Sequence, residues 1–260
     1  MPEGDTIHRA ARTLEKAIGG RRVTAWRSND PALDRVDDLV GRTVAAVEAR
    51  GKNLLVRFDD GRTLHTHQRM EGSWHVYRPG EAWRKPARGA VAVIETDAWV
   101  AVCFHAPVCD LLAPGRVPRA VRRLGPDLLA PRADLDEALR RMRAHPTMPV
   151  GVAVMRQHLV AGIGNVYKSE TLFLERASPF TPVAELSDEA LRGILRRARR
   201  LMKQNLRGFP RTTRRRFGRE RLWVYGRAGE RCYTCGEAIR MRRQGDDGRS
   251  TYFCPRCQSS

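Results

Sequence analysis

Leu54-Leu55-Val56-Arg57-Phe58-Asp59-Asp60-Gly61-Arg62-Thr63-Leu64-His65-Thr66-His67 decides the fold class of the first half of this 260-residue chain. Two short β-type runs flank an Asp-Asp-Gly turn signal, and similar runs recur at Thr43 to Val47, Ser73 to Tyr77, Ala90 to Glu95 and Trp99 to Phe104. Five or more short strands with few helical windows predict a β-sandwich or barrel between Val23 and about Leu112. Before it, Ile7, Ala10, Ala11, Leu14, Ala17 and Ile18 share one helical stripe, which Gly19-Gly20 ends. After it, Pro107 to Pro131 holds five prolines and reads as a linker. Helical periodicity then returns over Leu135 to Ala144, Val150 to Val160, Val166 to Arg176 and Ser187 to Asn205, with Ser187 as the N-cap of the last.

Lys plus Arg number 48 against 29 Asp plus Glu, a formal charge of +19. The excess is uneven: +3 over residues 1 to 118, +2 over 119 to 195 and +14 over 196 to 260. Such a segment binds a polyanion, and on DNA it does so through counterion release with strong salt dependence. The run Arg214-Arg215-Arg216 reads, by itself, as a solvated basic face. With 42% hydrophobic residues the chain can bury a real core, which argues against global disorder. No run approaches the roughly 18 apolar residues of a membrane helix, and the acidic start is unlike a secretory signal. We therefore expect a soluble, cytoplasmic protein.

Four of the six cysteines fall in two knuckles, Cys232-Tyr-Thr-Cys235 and Cys254-Pro-Arg-Cys257. Each tight turn offers two thiolates, and a hairpin between them closes a four-sulfur site for one structural zinc ion; a pair of disulfides or dithiols is the competing reading. Gly245-Asp246-Asp247-Gly248 is the expected hairpin turn, aiming Arg249 outward. Cys103 and Cys109 read as ordinary semi-buried thiols. Gly162-Ile163-Gly164-Asn165 lies between helical windows and fits either a plain helix-helix turn or a backbone clasp for phosphate. At the start, a small residue such as Pro2 permits removal of Met1. The resulting secondary amine can condense with an aldehydic sugar carbon, while Glu3 beside it can shuttle protons.

Together these features resemble the formamidopyrimidine-DNA glycosylase and endonuclease VIII family, over essentially the whole chain. The motifs carrying the resemblance are Pro2-Glu3-Gly4, Gly51-Lys52-Asn53-Leu54-Leu55, His67-Gln68-Arg69-Met70-Glu71-Gly72, Gly162-Ile163-Gly164-Asn165 and Thr251-Tyr252-Phe253-Cys254-Pro255-Arg256-Cys257-Gln258. The resemblance implies an α+β architecture: a β-sandwich with an N-terminal helix (1–118), a helix-two-turns-helix domain (119–225) and a zinc-ribbon finger (226–260). It also implies a monomer that binds double-stranded DNA containing oxidised bases or abasic sites between its two domains, at the nucleoid.

By the same resemblance, Pro2 is the Schiff-base nucleophile at C1′ of a flipped nucleotide and Glu3 the proton donor. Lys52 assists β-elimination, Asn165 binds phosphate, and Arg249 binds phosphate and assists δ-elimination. Cys232, Cys235, Cys254 and Cys257 hold the zinc. His67 and Arg123 fall at DNA-contact positions. Arg69, Met70 and Glu71 fall where the family fills the void left by the flipped base, Met70 being either an apolar wedge or a buried strand residue. Two departures stand out. Asp5-Thr6 replace the usual Pro-Glu, and Arg69-Met70-Glu71 replace the Gln-Leu-Tyr of the endonuclease VIII branch. The start is nevertheless closer to that branch, so oxidised pyrimidines are the first expectation among lesions. The alternative is a binding-only or lyase-only protein on the same scaffold; a zinc-ribbon transcription factor leaves the amino terminus without a role.

Overall fold

A computed structural model describes residues 2–34, 37–208, 210–214 and 220–259. Met1, and Arg215 and Arg216 of the arginine run, lie outside the described residues. The chain divides into two compact units, Met1–Arg122 and Arg123–Ser260.

The first unit is a sandwich of two antiparallel four-stranded sheets. Strands β1 (Ala25–Arg27), β6 (Ala90–Glu95), β7 (Val100–Phe104) and β5 (Ser73–Tyr77) form one sheet in that order; β2 (Val44–Arg50), β3 (Asn53–Phe58), β4 (Thr63–His67) and β8 (Val108–Leu112) form the other. Trp26, Ala92, Ile94, Ala101 and Cys103 of one sheet meet Val44, Val47, Leu54, Val56 and Leu64 of the other in one core. Helix α1 (Gly4–Ile18) adds Ile7, Ala11, Leu14, Ala17 and Ile18 and touches strands of both sheets. Its stop is steric as well as conformational: Gly19 N donates to Glu15 O at 2.9 Å, and a Cβ at Gly19 would sit 2.5 Å from that oxygen. Strand β7 is buried along its whole length, because Val100, Val102 and Phe104 are covered on the outer face by Tyr77 and Trp83. A short helix, α2 (Pro31–Asp34), packs near β1, and another, α3 (Arg119–Arg122), ends the unit.

The stretch Pro107 to Pro131 is more than a linker. Strand β8 lies inside it and pairs with β4 from Thr63↔Leu112 to His67↔Val108. Pro107 and Pro114 bracket that pairing, and β8 is an edge strand, where a missing amide donor costs no ladder bond.

In the second unit α4 (Leu135–Arg143), α5 (Val150–Ala153), α6 (Asn165–Leu174) and α7 (Asp188–Gln204) surround a core that includes Leu139, Met142, Val150, Ile163, Tyr167, Leu172, Ile194 and Leu201. Ser187 Oγ accepts from Ala190 N at 3.1 Å, the N-cap read from sequence. The helix expected over Val150 to Val160 stops at Ala153 because the backbone turns to other partners. Gly125 N donates to Gln157 O, Gly162 N donates to Gln157 Oε1, and Gln157 Nε2 donates to Ile163 O. Strands β9 (Arg240–Gln244) and β10 (Arg249–Phe253) pair as a hairpin with Gln244 opposite Arg249, leaving Gly245 to Gly248 as its loop. Helix α6 is central, with α7 packed on one part of it and β10 on another.

Candidate DNA-binding and catalytic residues

At the amino end Pro2 is half-buried, and Glu3 and Asp5 are fully buried at the start of α1. Glu3 is the N-cap residue: its carbonyl accepts from Thr6 N at 2.9 Å, and the first turn also carries Asp5. Carboxylates there are stabilised by the positive end of the helix dipole. A desolvated acid is thus held one residue from a proline.

Lys52 stands in the two-residue turn of the β2–β3 hairpin, between the paired Arg50 and Asn53, with Gly51 at φ 58° providing the reversal. Behind it, buried Asn53 donates from Nδ2 to Arg50 O at 3.1 Å and offers Oδ1 to His65 Nε2 at 2.9 Å. With Oδ1 the acceptor, the His65 proton sits on Nε2, and Nδ1 is left 3.5 Å from Asp110 Oδ2. Burial holds His65 below the ordinary histidine value, against a pull upward from Asp110. His67, at the end of β4, is lowered first by burial and then by the positive charge of Lys52, His65 and Arg69. Both imidazoles are therefore uncharged, and His67 lies within reach of the Lys52 charge. His65 and Asn53 form a support the sequence reading did not assign; β4 is buried at Thr63, Leu64, His65 and Thr66 alike, so no alternation marks His65.

Arg69, Met70 and Glu71 form a projecting turn. Gly72 N donates back to Gln68 O at 2.8 Å, and a Cβ at Gly72 would lie 2.7 Å from Gln68 backbone atoms. Gln68 is buried, whereas all three turn residues are exposed and Arg69 adopts φ 45°. Met70 is 64% exposed, which removes the buried-strand reading. An unbranched apolar chain held in water on a tight turn suits insertion into an apolar gap.

In the second unit Asn165 opens α6 and is buried; its Nδ2 reaches Ser250 Oγ at 3.4 Å, and its Oδ1 is without a hydrogen-bond partner among the described residues. Gly162 takes φ 107°, open to glycine, and Gly164 brings no capping side chain to the helix start. Lys168, fully buried, donates to Ser250 O at 3.0 Å and Thr251 Oγ1 at 2.7 Å, and Tyr252 N donates to Ser169 Oγ at 3.2 Å. Three residues of α6 are thus joined to three successive residues of β10, next to exposed Arg249. Among the described residues, the Arg249 guanidinium has only a loose, solvent-screened contact with Asp247 at 3.9 Å. Glu170, also buried, accepts from Thr213 Oγ1 and from the backbone N–H of Trp223, Val224 and Tyr225. Burial pushes its carboxyl up, and those four donors pull it down. Arg214 of the arginine run lies 4.3 Å over the Tyr233 ring, so it is packed rather than freely solvated. Arg123 is exposed at the start of the unit.

The four sulfurs of Cys232, Cys235, Cys254 and Cys257 lie within 4.8 Å of one another, with Cys235–Cys254 at 3.4 Å and Cys232–Cys257 at 3.9 Å. A tetrahedral Zn–S distance of about 2.3 Å puts sulfurs about 3.8 Å apart, so the cluster fits one zinc and is too open for two disulfides. Backbone amides of Thr234 and Cys257 donate to Cys232 and Cys254 sulfurs, as thiolates require. One structural zinc is the cofactor; with all four positions taken by sulfur it holds the hairpin and leaves no site for substrate.

Three family models match in succession: the formamidopyrimidine-DNA glycosylase N-terminal domain over residues 1–107, its H2TH domain over 124–215, and the zinc finger found in FPG and IleRS over 229–259. This chain belongs to the formamidopyrimidine-DNA glycosylase family. Among curated members, it is 44% identical to the probable endonuclease 8 2 of Streptomyces coelicolor, over all of this chain and 94% of that one. It is 38% identical over the full length of both chains to the DNA-(apurinic or apyrimidinic site) lyase Nei2 of Mycolicibacterium smegmatis. The fold matches that of the Lactococcus lactis formamidopyrimidine-DNA glycosylase bound to DNA containing an abasic site, with a TM-score of 0.84 at 23% identity over all of both chains.

Proposed function

We propose that this family member is a bifunctional DNA glycosylase and abasic-site lyase of base-excision repair, acting inside the cell on duplex DNA with oxidised bases, pyrimidines foremost. The observation that carries the catalytic reading is the pairing at the amino end of α1, where fully buried Glu3 adjoins half-buried Pro2. Binding alone needs neither a desolvated acid nor an adjacent imino nitrogen.

After Met1 is removed, the unprotonated Pro2 nitrogen attacks C1′ of the flipped nucleotide. The N-glycosidic bond breaks, the base leaves with a proton, and the ring-opened sugar is held as an iminium. Glu3 supplies the proton at the sugar. The iminium acidifies C2′; loss of that proton expels the 3′ phosphate in β-elimination, assisted by the Lys52 ammonium. A second elimination, assisted by Arg249, expels the 5′ phosphate. Asn165 and Arg249 grip the backbone, with His67 and Arg123 as further contacts, and Met70, flanked by Arg69 and Glu71, enters the vacated stack.

The test is a set of duplexes carrying one oxidised pyrimidine, 8-oxoguanine, a formamidopyrimidine, uracil or an abasic site. Release of the oxidised pyrimidine and strand scission with both β and δ products are expected. Tight binding of abasic DNA with neither base release nor scission would leave only a binding protein.

A further inference from the structure

Helix α7 carries more cations than its packing uses. Its inner face is Leu191, Ile194, Leu195, Ala198, Leu201 and Met202. Arg192 is matched by Asp136 and Asp188, and Arg197 by Glu175. Arg196, Arg199, Arg200 and Lys203 repeat at helical spacing along the outer face and, with Leu135 of α4 and Gln204, line an open basin of about 440 Å³. No carboxylate lines this basin among the described residues. Arg196 reaches Glu189 outside it. Arg199 is fixed as its floor, donating to Ala130 O at 3.1 Å and Pro131 O at 3.0 Å, while its Nε–H is buried without an acceptor among the described residues.

Like charges three and four residues apart destabilise a helix, and the macrodipole compensates only those in the last turn. Four of them around one concavity with an unmatched donor therefore point to an external anion. Arg196 and Lys203, seven positions apart, are separated by about 10.5 Å along the helix, which corresponds to about three nucleotide steps of about 3.4 Å along a duplex axis. A folded acidic protein fits less well, because Leu135 is the one apolar side chain in the lining and interfaces need aromatic or aliphatic anchors. Helix α6 packs against both α7 and β10, but the basin is lined by α7 and Leu135 alone, with neither Asn165 of α6 nor Arg249 of the hairpin in its wall.

We propose that this basin is a second phosphodiester-backbone site, which takes DNA outside the segment held at Asn165 and Arg249. That the polyanion is DNA rests on the proposed function; that the basin binds a phosphate chain rests on its own residues. It lets one molecule hold flanking or neighbouring duplex while the lesion site is engaged.

The test compares wild type with R196Q/R200Q/K203Q on abasic-analogue duplexes of about 12 and about 40 base pairs, across a salt series. On the long duplex the variant is expected to bind about tenfold more weakly at low salt, with the log–log salt slope smaller by about 2 to 3, one step per lost phosphate contact. On the short duplex binding is expected to be unchanged, and an unchanged melting temperature shows that the variant folds. Equal loss on both lengths, or no loss on the long one, overturns the proposal. So does a polyglutamate peptide that binds wild type but not the variant while long-duplex binding is unaltered. Borohydride trapping on the short duplex reports the catalytic reading separately: its failure alongside length-dependent binding would sink that reading and leave the second site standing.

Discussion

Met1–Arg122 holds 20 basic against 15 acidic side chains, and several of its candidate chemical groups are withdrawn from water: Glu3 is buried, and burial keeps His65 and His67 uncharged. Arg123–Ser260 holds 28 against 14, with its arginines largely at the surface and its buried charges, Lys168 and Glu170, used to fasten one segment to another. Reactivity needs few groups in a controlled dielectric, whereas backbone binding needs many in water. On the proposed function, the difference between the units is a division of labour, and each unit can be disturbed by itself.

The largest effect should come from zinc. Its removal by a strong chelator, or Cys254→Ser, is expected to unfold the β9–β10 hairpin and weaken DNA binding by at least about 100-fold, leaving the sandwich folded. Equal DNA affinity without zinc, measured by fluorescence anisotropy, would break the assignment of grip to the second unit. Next is Glu170→Gln, which sets an amide N–H against backbone donors; a loss of about 2–4 kcal/mol in urea unfolding of the second unit is expected. Arg249→Ala, at an exposed position, should keep the fold, weaken DNA binding about tenfold, and shift product from δ toward β elimination. An unchanged product ratio would remove Arg249 from the chemistry.

A smaller effect concerns pH. His65 and His67 have folded pKa values below the unfolded value of about 6.5, so the unfolded chain takes up more protons between the two. Their neutral rings contribute stability that is complete above about pH 6.5 and lost as pH falls through the lowered values. Thermal unfolding followed from pH 7.5 to 5 should show the first unit weakening, and H65N/H67N should flatten that slope; an identical slope in the variant would contradict the buried-neutral assignment. The smallest stability effect is Met70→Ala, within about 0.5 kcal/mol because the side chain is already in water, yet with base release clearly slowed. Normal base release would end its role as a wedge.

What could be read from the chain follows which forces are local. α1 and α7 were legible because each combines a helical stripe with its own stop or cap, Gly19 in one and Ser187 in the other. The knuckles were legible because each pair of cysteines makes its own turn. The strand at Val108–Leu112 was obscured by bracketing prolines and by half-exposed edge burial that gives little alternation. The helix at Val150 ended early because Gln157 is committed to Gly162 and Ile163. Lys168 and Glu170 look like surface charges in sequence; their partners lie 83 and 43 residues away, at Thr251 and Thr213, beyond the reach of any local pattern. His65 escaped notice for the same reason, since only the sheet brings Asn53 and Asp110 to it.

The most direct test of the division is to trap the protein on abasic-site DNA with borohydride, digest the adduct and map the modified residue by mass spectrometry. A single reduced sugar adduct on the Pro2 nitrogen, absent in Pro2→Gly and retained in Arg249→Ala, is the expected result. An adduct on Lys52 or on any residue of the second unit, or undiminished trapping by Pro2→Gly, would contradict it.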